Sequence, residues 1–391
     1  MNLSLSASAE DFRRRLRDWL DARLSDDTWT APVGPDGEAR LMELRKRWGR
    51  LLHEEGWAAP EWPTAFGGLG LGFEEAVVYV EEMARSGAPQ PFNSNAINIL
   101  GPTLMHHGTE EQRERLLPPM IAHESAWCQA FSEPGAGSDL AGIVTRAEPS
   151  ADGSVLRLTG HKIWSSRAQY ADHCYALVRT DPASTRQQGL SLVVLRLDQP
   201  GVEVRPIDTI AGTSDFCEIF LDGAVVPTAD VIGSVGEGWK VAMYALGRER
   251  GPRQAERTMT MADDLNRLVA ALTRDGEPLE GTTLADVVDL HVRAAEVRAV
   301  VRRILAQLAD DAPLGILPSV LKLDWSRTHQ DILALRSRLL PEETLLGREV
   351  ENAVQERLLY TRGYSLQSGT TEIQRNIVAK SLGMPSSRQG G

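Results

Sequence analysis

The texture of the chain changes twice, and these two changes constrain the fold more than any single residue does. Over 9–24 apolar side chains recur at helical spacing: Phe12, Leu16, Trp19, Leu20 and Leu24 fall near one face, with Ser8, Glu10 and Asp11 supplying helix-start chemistry. Residues 41–56, 74–85 and 110–123 read as further helices, and the Pro- and Gly-rich stretch 59–72 reads as a loop. Between 126 and 235 the period drops to two. The runs 155–158, 175–179, 191–196, 202–206 and 218–221 alternate between Gly, Pro and Asp breakers, which predicts an antiparallel β-domain. From 236 the helical period returns in four long segments, 236–272, 284–309, 318–339 and 345–365, which predicts a bundle. The chain therefore reads as an α+β multidomain protein with units 1–125, 126–235 and 236–391.

Its 391 residues suffice for two or three packed units. A formal charge of −12 disfavours a general nucleic-acid or anionic-membrane surface, and no basic tail offsets it. Cys128, Cys174 and Cys217 are widely spaced and form neither a metal-ligand pair nor a disulfide framework. No metal site is expected, and a reducing, cytoplasmic compartment fits. Met1 to Asp11 lacks a charged segment followed by an apolar core, so no signal peptide is expected. No run approaches the roughly 18 apolar residues of a membrane span.

Short motifs punctuate this framework in a fixed order. Gly56-Trp57, Pro60-Glu61-Trp62-Pro63 and Gly67-Gly68 come first, then Ser132-Glu133-Pro134-Gly135-Ala136-Gly137-Ser138-Asp139 and Gly160-His161-Lys162-Ile163-Trp164. Gly236-Glu237-Gly238-Trp239, Glu249-Arg250-Gly251 and Ser368-Gly369-Thr370-Thr371-Glu372-Ile373-Gln374-Arg375-Asn376 follow. Together the motifs resemble those of the acyl-CoA dehydrogenases, flavoenzymes that desaturate thioesters, and they span nearly the whole chain. The resemblance implies an N-terminal helical domain, a middle antiparallel β-barrel and a C-terminal four-helix bundle. FAD would lie between barrel and bundle, often at a subunit interface.

The loop 132–139 is tight, rich in Gly and flanked by hydroxyls and carboxylates, so its backbone N–H groups can approach an anion. Taken alone, the same octapeptide also reads as a surface turn. By resemblance, Gln129 and Ser132 contact the isoalloxazine edge, Gly137 and Ser138 serve the phosphates, Trp164 covers one flavin face and Ser166 bonds near N5. Thr370 and Glu372 touch the ribityl–pyrophosphate portion. The 369–375 segment reads as the start of the last helix, whose N-terminus favours phosphate, with Thr370 or Thr371 as its cap.

Desaturation requires a carboxylate beside the α-carbon and donors at the thioester carbonyl, where negative charge develops. Many family members place the base immediately before the C-terminal Gly-Thr. Here that residue is Ser368, which cannot replace a carboxylate without an activating partner. Its backbone N–H, beside Gly369, remains available to a thioester carbonyl. Glu249, in Arg248-Glu249-Arg250-Gly251-Pro252, matches the alternative base position of isovaleryl-type and steroid-type members. Pro252 removes a helical N–H nearby, which predicts irregular backbone. Arg250 would then tune charge near the base or the acyl-CoA. Against this stands a plain reading of Glu249 as an exposed helix residue between arginines.

Other features carry less. His161, His106 and His107 have no acidic partner at metal-ligand spacing. Asp215-Phe216-Cys217 reads as a strand start lining the pocket. The polar loop 179–188 is expected to be flexible and to meet the pantetheine or nucleotide end of CoA.

Two family motifs that hold a neighbour's ADP moiety are absent. The first region reads Thr273-Arg274-Asp275-Gly276-Glu277-Pro278, and 347–356 holds a single glycine. The pattern resembles one subunit of actinobacterial heterotetrameric enzymes acting on steroid side chains. The expected partners are an acyl-CoA substrate, an electron-transfer flavoprotein and either further copies of the chain or a similar second chain. A carrier-protein-bound acyl dehydrogenase, a flavin monooxygenase of the same fold and a non-catalytic partner subunit stay open as alternatives.

Overall fold

A computed structural model describes residues 5–25, 27–30, 37–249, 252–274, 276–309, 312–342 and 352–384. Arg250, Gly251 and most of the segment around Gly347 fall outside them, as do the side chains of Glu249 and Pro252.

The first unit is helical: α1 (Ala7–Arg23), α2 (Gly37–Glu54), α3 (Phe73–Ser86), α4 (Gly101–His107) and α5 (Glu110–Ile121). Ser6, not Ser8, caps α1 by accepting from the Ala9 N–H. Thr109 and Gln112 form a reciprocal capping box at the start of α5. The sequence reading missed α4 and the π-helical turn Ala96–Leu100 that feeds it. Gly101 and Pro102 look like breakers, but a proline in the first helical turn removes only an N–H that had no partner there.

Eight strands follow: β1 (Trp127–Ala130), β2 (Arg146–Pro149), β3 (Val155–Ser166), β4 (His173–Arg179), β5 (Leu190–Arg196), β6 (Val202–Ile207), β7 (Phe216–Pro227) and β8 (Val231–Ile232). Their order is β6-β7-β3-β2-β4-β5-β8, with β1 paired to β4. The antiparallel expectation needs one correction, because β1–β4 and the single β2–β4 bridge are parallel. The cause lies in the burial of β4 on both faces. Tyr175 and Leu177 join the core shared with the helical unit, while Cys174, Ala176 and Val178 face the interior of the β-unit. A strand covered on both sides can pair in parallel without exposing an apolar face.

The last unit holds α6 (Gly238–Glu249), α7 (Pro252–Leu272), α8 (Gly281–Ala309), α9 (Leu317–Leu339), α10 (Asn352–Tyr360) and α11 (Thr371–Ser381). The segment read as one helix over 236–272 is two elements, α6 and α7. Leu265, Leu268, Val297, Ile304, Trp325 and Ile332 form the bundle core. Helix α3 ties it to the rest: Val77 packs into the bundle core while Val78 packs into the N-terminal core. Helix α6 packs the other way, with Val241, Ala242 and Ala245 in the N-terminal core.

Candidate active site

The site is built around β3. Leu156, Leu158 and Lys162 point inward, and the register against β7 shifts between Lys162 and Ser165. That bulge places Trp164 at φ 62°, a region costly for a non-glycine residue, and leaves the residue 56% exposed. A large aromatic held outward at such a backbone position is a functional signal rather than a packing one. The Ile163 N–H donates to the Ser132 carbonyl at 3.0 Å, which ties the bulge to the start of the loop 132–139. Ser166 sits just beyond the bulge, opposite Phe216 on β7 and half-buried.

The loop itself is held from beneath. Glu133 and Ala136 exchange backbone hydrogen bonds of 3.2 and 3.0 Å. The Glu133 carboxylate, buried, accepts from the Val144 and Thr145 N–H groups and from Lys162 Nζ at 2.8 Å. Lys162, fully buried, also donates to the Phe131 and Leu177 carbonyls. Burial alone would raise the Glu133 carboxyl; the Lys162 ammonium and the added donors outweigh it and hold the group below the usual range. Above this pair the loop is open. A Cβ at Gly135 or Gly137 would meet nothing within 4 Å, and Ser138 is exposed. On β1, Gln129 Oε1 accepts from the Tyr175 hydroxyl at 2.9 Å, which fixes its amide.

A run of rings connects this wall to the C-terminal segment. Trp164 meets Phe216 edge-on at 6.0 Å, Phe216 stacks on Tyr360 at 6.3 Å, and Tyr360 meets Tyr364 at 5.8 Å. Beyond Tyr364 the backbone turns through two left-handed residues, Ser368 (φ 54°) and Gly369 (φ 85°). Gln374, almost fully buried, donates from Nε2 to the Ser368 carbonyl at 3.0 Å and fixes the turn. A Cβ at Gly369 would lie 2.6 Å from that Nε2. Thr370 is the N-cap of α11, accepting from the Ile373 N–H. Glu372 is exposed in the first turn; its own N–H and then the Thr370 side chain hold its carboxyl below the usual range. That carboxylate already complements the helix dipole, so it competes with any phosphate at this terminus.

The structure thus brings Ser132, Trp164 and Ser166 together beside Gln129, and links them through rings to the turn that carries Ser368 and Gly369. Glu249 is the last residue of α6 and its side chain lies outside the described residues, as does all of Arg250. The loop 179–188 is not slack. Arg179 donates to the carbonyls of Ala141, Ile143, Ser184, Arg186 and Gln188, and Arg186 pairs with Asp139 at 2.8 Å. Phe216 begins β7, where the strand start was expected.

The sequence reading gave no role to Glu133, Lys162, Tyr175 or Tyr360. For Lys162 a signal existed, since it continues the inward alternation of Leu156 and Leu158. Among the described residues no group of His, Cys, Asp and Glu could hold a metal ion, and no helix is long and apolar enough to cross a membrane.

The N-terminal, middle and C-terminal domains of acyl-CoA dehydrogenase match residues 6–124, 128–224 and 236–383. Acyl-CoA dehydrogenase IpdE1 of Mycobacterium tuberculosis is 36% identical over 390 residues, covering 97% of this chain and 99% of the relative. IpdE1 of Mycolicibacterium smegmatis is 34% identical, covering 97% and 99%. Among solved structures, the Tcur3481-Tcur3483 steroid ACAD superposes with a TM-score of 0.86 at 28% identity, covering 99% of this chain and 100% of the other. The ChsE4-ChsE5 complex from Mycobacterium tuberculosis gives 0.82 at 25% identity, covering 99% and 100%. The chain therefore belongs to the acyl-CoA dehydrogenase family, whose members are generally FAD-dependent oxidoreductases acting on acyl-CoA.

Proposed function

We propose that this chain desaturates the α,β-bond of an acyl-CoA thioester to the 2-enoyl-CoA, with FAD bound over the Trp164 wall. The observation that carries the reading is Trp164 itself, exposed on a strained bulge that is hydrogen-bonded to the open glycine loop. A flat ring system with an anionic tail fits that arrangement. Trp164 offers a face to the rings, Gln129, Ser132 and Ser166 offer polar edges, and the bare backbone at Gly135 and Gly137 with Ser138 suits phosphate. When bound, the flavin supplies the acceptor for the β-hydride.

This chain supplies the rest. The Glu249 carboxylate takes the α-proton, which requires a base within hydrogen-bond reach of that carbon. The Ser368 N–H, in the left-handed turn Ser368–Gly369, is assigned as the donor to the thioester oxygen as negative charge grows there. Trp164 and Phe216, which meet edge-on, would wall the flavin side of the site. Arg250 adds positive charge beside the base. Thr370 holds the start of α11 against the site, and Glu372 reaches the polar side of the cofactor. The three units 1–125, 126–235 and 236–391 divide this work as substrate wall, flavin wall and base carrier.

The substrate class we favour is a bulky or branched acyl chain such as a sterol side chain, and an electron-transfer flavoprotein serves as acceptor. Two observations support it: similarity to structures described as steroid ACADs, and a serine, Ser368, rather than a carboxylate before the C-terminal glycine, which leaves Glu249 on α6 as the candidate base. The missing ADP-contact motifs favour assembly with a second, similar chain, as the paired names Tcur3481-Tcur3483 and ChsE4-ChsE5 describe for those relatives. The test is anaerobic titration of the purified flavoprotein with a panel of acyl-CoAs that includes a steroid side-chain thioester. Bleaching of the flavin by a thioester supports the reading; a yellow protein that none of them bleaches overturns it.

A further inference from the structure

The turn before α11 holds a second backbone donor beside the Ser368 N–H. Ser368 (φ 54°) and Gly369 (φ 85°) are both left-handed, and the peptide between them is trans. A trans peptide sets its C=O and its N–H in opposite directions. The Ser368 carbonyl and the Gly369 N–H belong to this one peptide. The carbonyl is drawn inward, because Gln374, 1% exposed, donates to it from Nε2 at 3.0 Å. The Gly369 N–H is therefore turned away from Gln374. Among the described residues it has no hydrogen-bond partner, and Gly369 is half-buried. A serine at φ 54° occupies the left-handed helical basin, in which successive N–H groups point the same way, as they do in any helical turn. The Ser368 and Gly369 N–H groups thus lie on one side of the turn.

Packing alone does not explain Gln374. Its Oε1 is buried and has no hydrogen-bond partner among the described residues. The Ser368 carbonyl fixes which end of the amide faces the turn, since two acceptors would repel each other. A methionine of similar volume would fill the space and leave no acceptor unsatisfied. The amide is therefore explained by its donor. The approach to the turn is braced separately. Lys322, 3% exposed, donates to the Tyr364 carbonyl, Gln330 Nε2 donates to the Thr361 carbonyl at 2.7 Å, and Thr371 Oγ1 donates to the Ser365 carbonyl at 3.4 Å. Those bonds hold the chain on either side, whereas Gln374 grips the Ser368–Gly369 peptide itself. A Cβ at Gly369 would lie 2.6 Å from the same Nε2, so the amide sits directly against the turn. Growing negative charge on an oxygen is stabilised most by donors fixed before the charge develops, and two N–H groups held on one side of a braced turn meet that requirement.

We propose that the Gly369 N–H is a second donor to the thioester oxygen, beside the Ser368 N–H, and that Gln374 is the positioning residue that orients it. The inference rests on the dehydrogenase reading above and deepens it. The test uses the panel thioester that bleaches the wild-type flavin fastest, together with its 2-enoyl product labelled with carbon-13 at the carbonyl. Gln374→Met removes the donor and keeps the bulk. Gln374→Glu keeps the shape, and its carboxyl can donate to the Ser368 carbonyl only when protonated. Misplacing one such donor should lower kcat by about 10²-fold with KM little changed. The infrared carbonyl stretch of the bound enoyl-CoA, lowered by hydrogen bonds in the wild type, should move up in Gln374→Met. In Gln374→Glu, rate and stretch should both return toward wild type as pH falls, each compared with wild type at the same pH. Flavin absorbance and the unfolding midpoint report whether each variant folds; if Gln374→Met does not, the pH series on Gln374→Glu decides. Wild-type kcat in a variant that lacks the donor, or a lowered kcat with an unmoved stretch, would overturn the second donor and leave the dehydrogenase reading intact. Failure of every panel thioester to bleach the wild type would overturn both.

Discussion

Replacing Lys162 by Met keeps the volume of the side chain and removes the ammonium that faces Glu133. Glu133 is 4% exposed and would be left as a buried carboxylate whose remaining donors are the Val144 and Thr145 N–H groups. The Phe131 and Leu177 carbonyls would lose a donor as well. Breaking one side of a buried ion pair costs about 3–5 kcal/mol. At roughly 2–4 °C per kcal/mol for a unit of this size, the midpoint should fall by ~6–20 °C. The pH dependence adds a signature that simple loss of packing lacks. In the wild type the Glu133 pKa is depressed, so its contribution is present above the unfolded carboxyl value of about 4.3 and is lost as pH falls through the folded value. Without Lys162, burial dominates and the folded value rises above the unfolded one. The penalty then grows as pH climbs from about 4.3, and the variant recovers stability on acidification from pH 7 toward 5. Flavin binding should weaken in parallel, because the same pair supports the loop 132–139 and the strand that carries Trp164. Urea and thermal midpoints at pH 5 and pH 7, together with fluorescence titration of FAD, measure all of this. A Lys162→Met protein within about 1 kcal/mol of wild type at pH 7, with unchanged FAD affinity, would refute the reasoning.

Gly369→Ala should cost about 1–3 kcal/mol, because the backbone there is left-handed (φ 85°) and Gln374 Nε2 stands 2.6 Å from the new Cβ. Urea midpoints measure the stability loss, and substrate turnover should fall with it as the Ser368 N–H is displaced. His123 is buried, and burial pushes its pKa down to about 4. The unfolded chain, at about 6.5, therefore binds protons that the folded state refuses, and roughly 3 kcal/mol of stability should be lost as pH falls from about 6.5 to about 4. His123→Leu should flatten that slope in a pH series of denaturation curves, whereas an unchanged slope would exclude His123 as its source.

Much of the architecture is legible in the sequence because periodicity survives where one face is buried. Helix α1 shows its pattern without help, and β7 alternates along its length, although only 218–221 reads as strand from the sequence alone. What stays hidden is set by partners distant in the chain. The four-residue β2 is not among the runs read as strands, because Arg146 and Glu148 face outward and only the ladder with β3 makes it a strand. The turn at 96–107 hides a helix behind Gly101 and Pro102. Within the site, Trp164 and the loop 132–139 announce themselves by local pattern. The pairing of Glu133 with Lys162 does not, since a salt bridge 29 residues apart has no local signature.

The central claim is that Glu249, not a residue beside Gly369, removes the α-proton. It is tested most directly by stopped-flow measurement of flavin reduction in wild-type and Glu249→Gln proteins that carry equal flavin and are saturated with the same acyl-CoA. Loss of the base should slow reduction by a factor on the order of 10² to 10⁴, with thioester binding retained. Reduction by Glu249→Gln within a few-fold of wild type would contradict the assignment and require the base to come from elsewhere in the assembly.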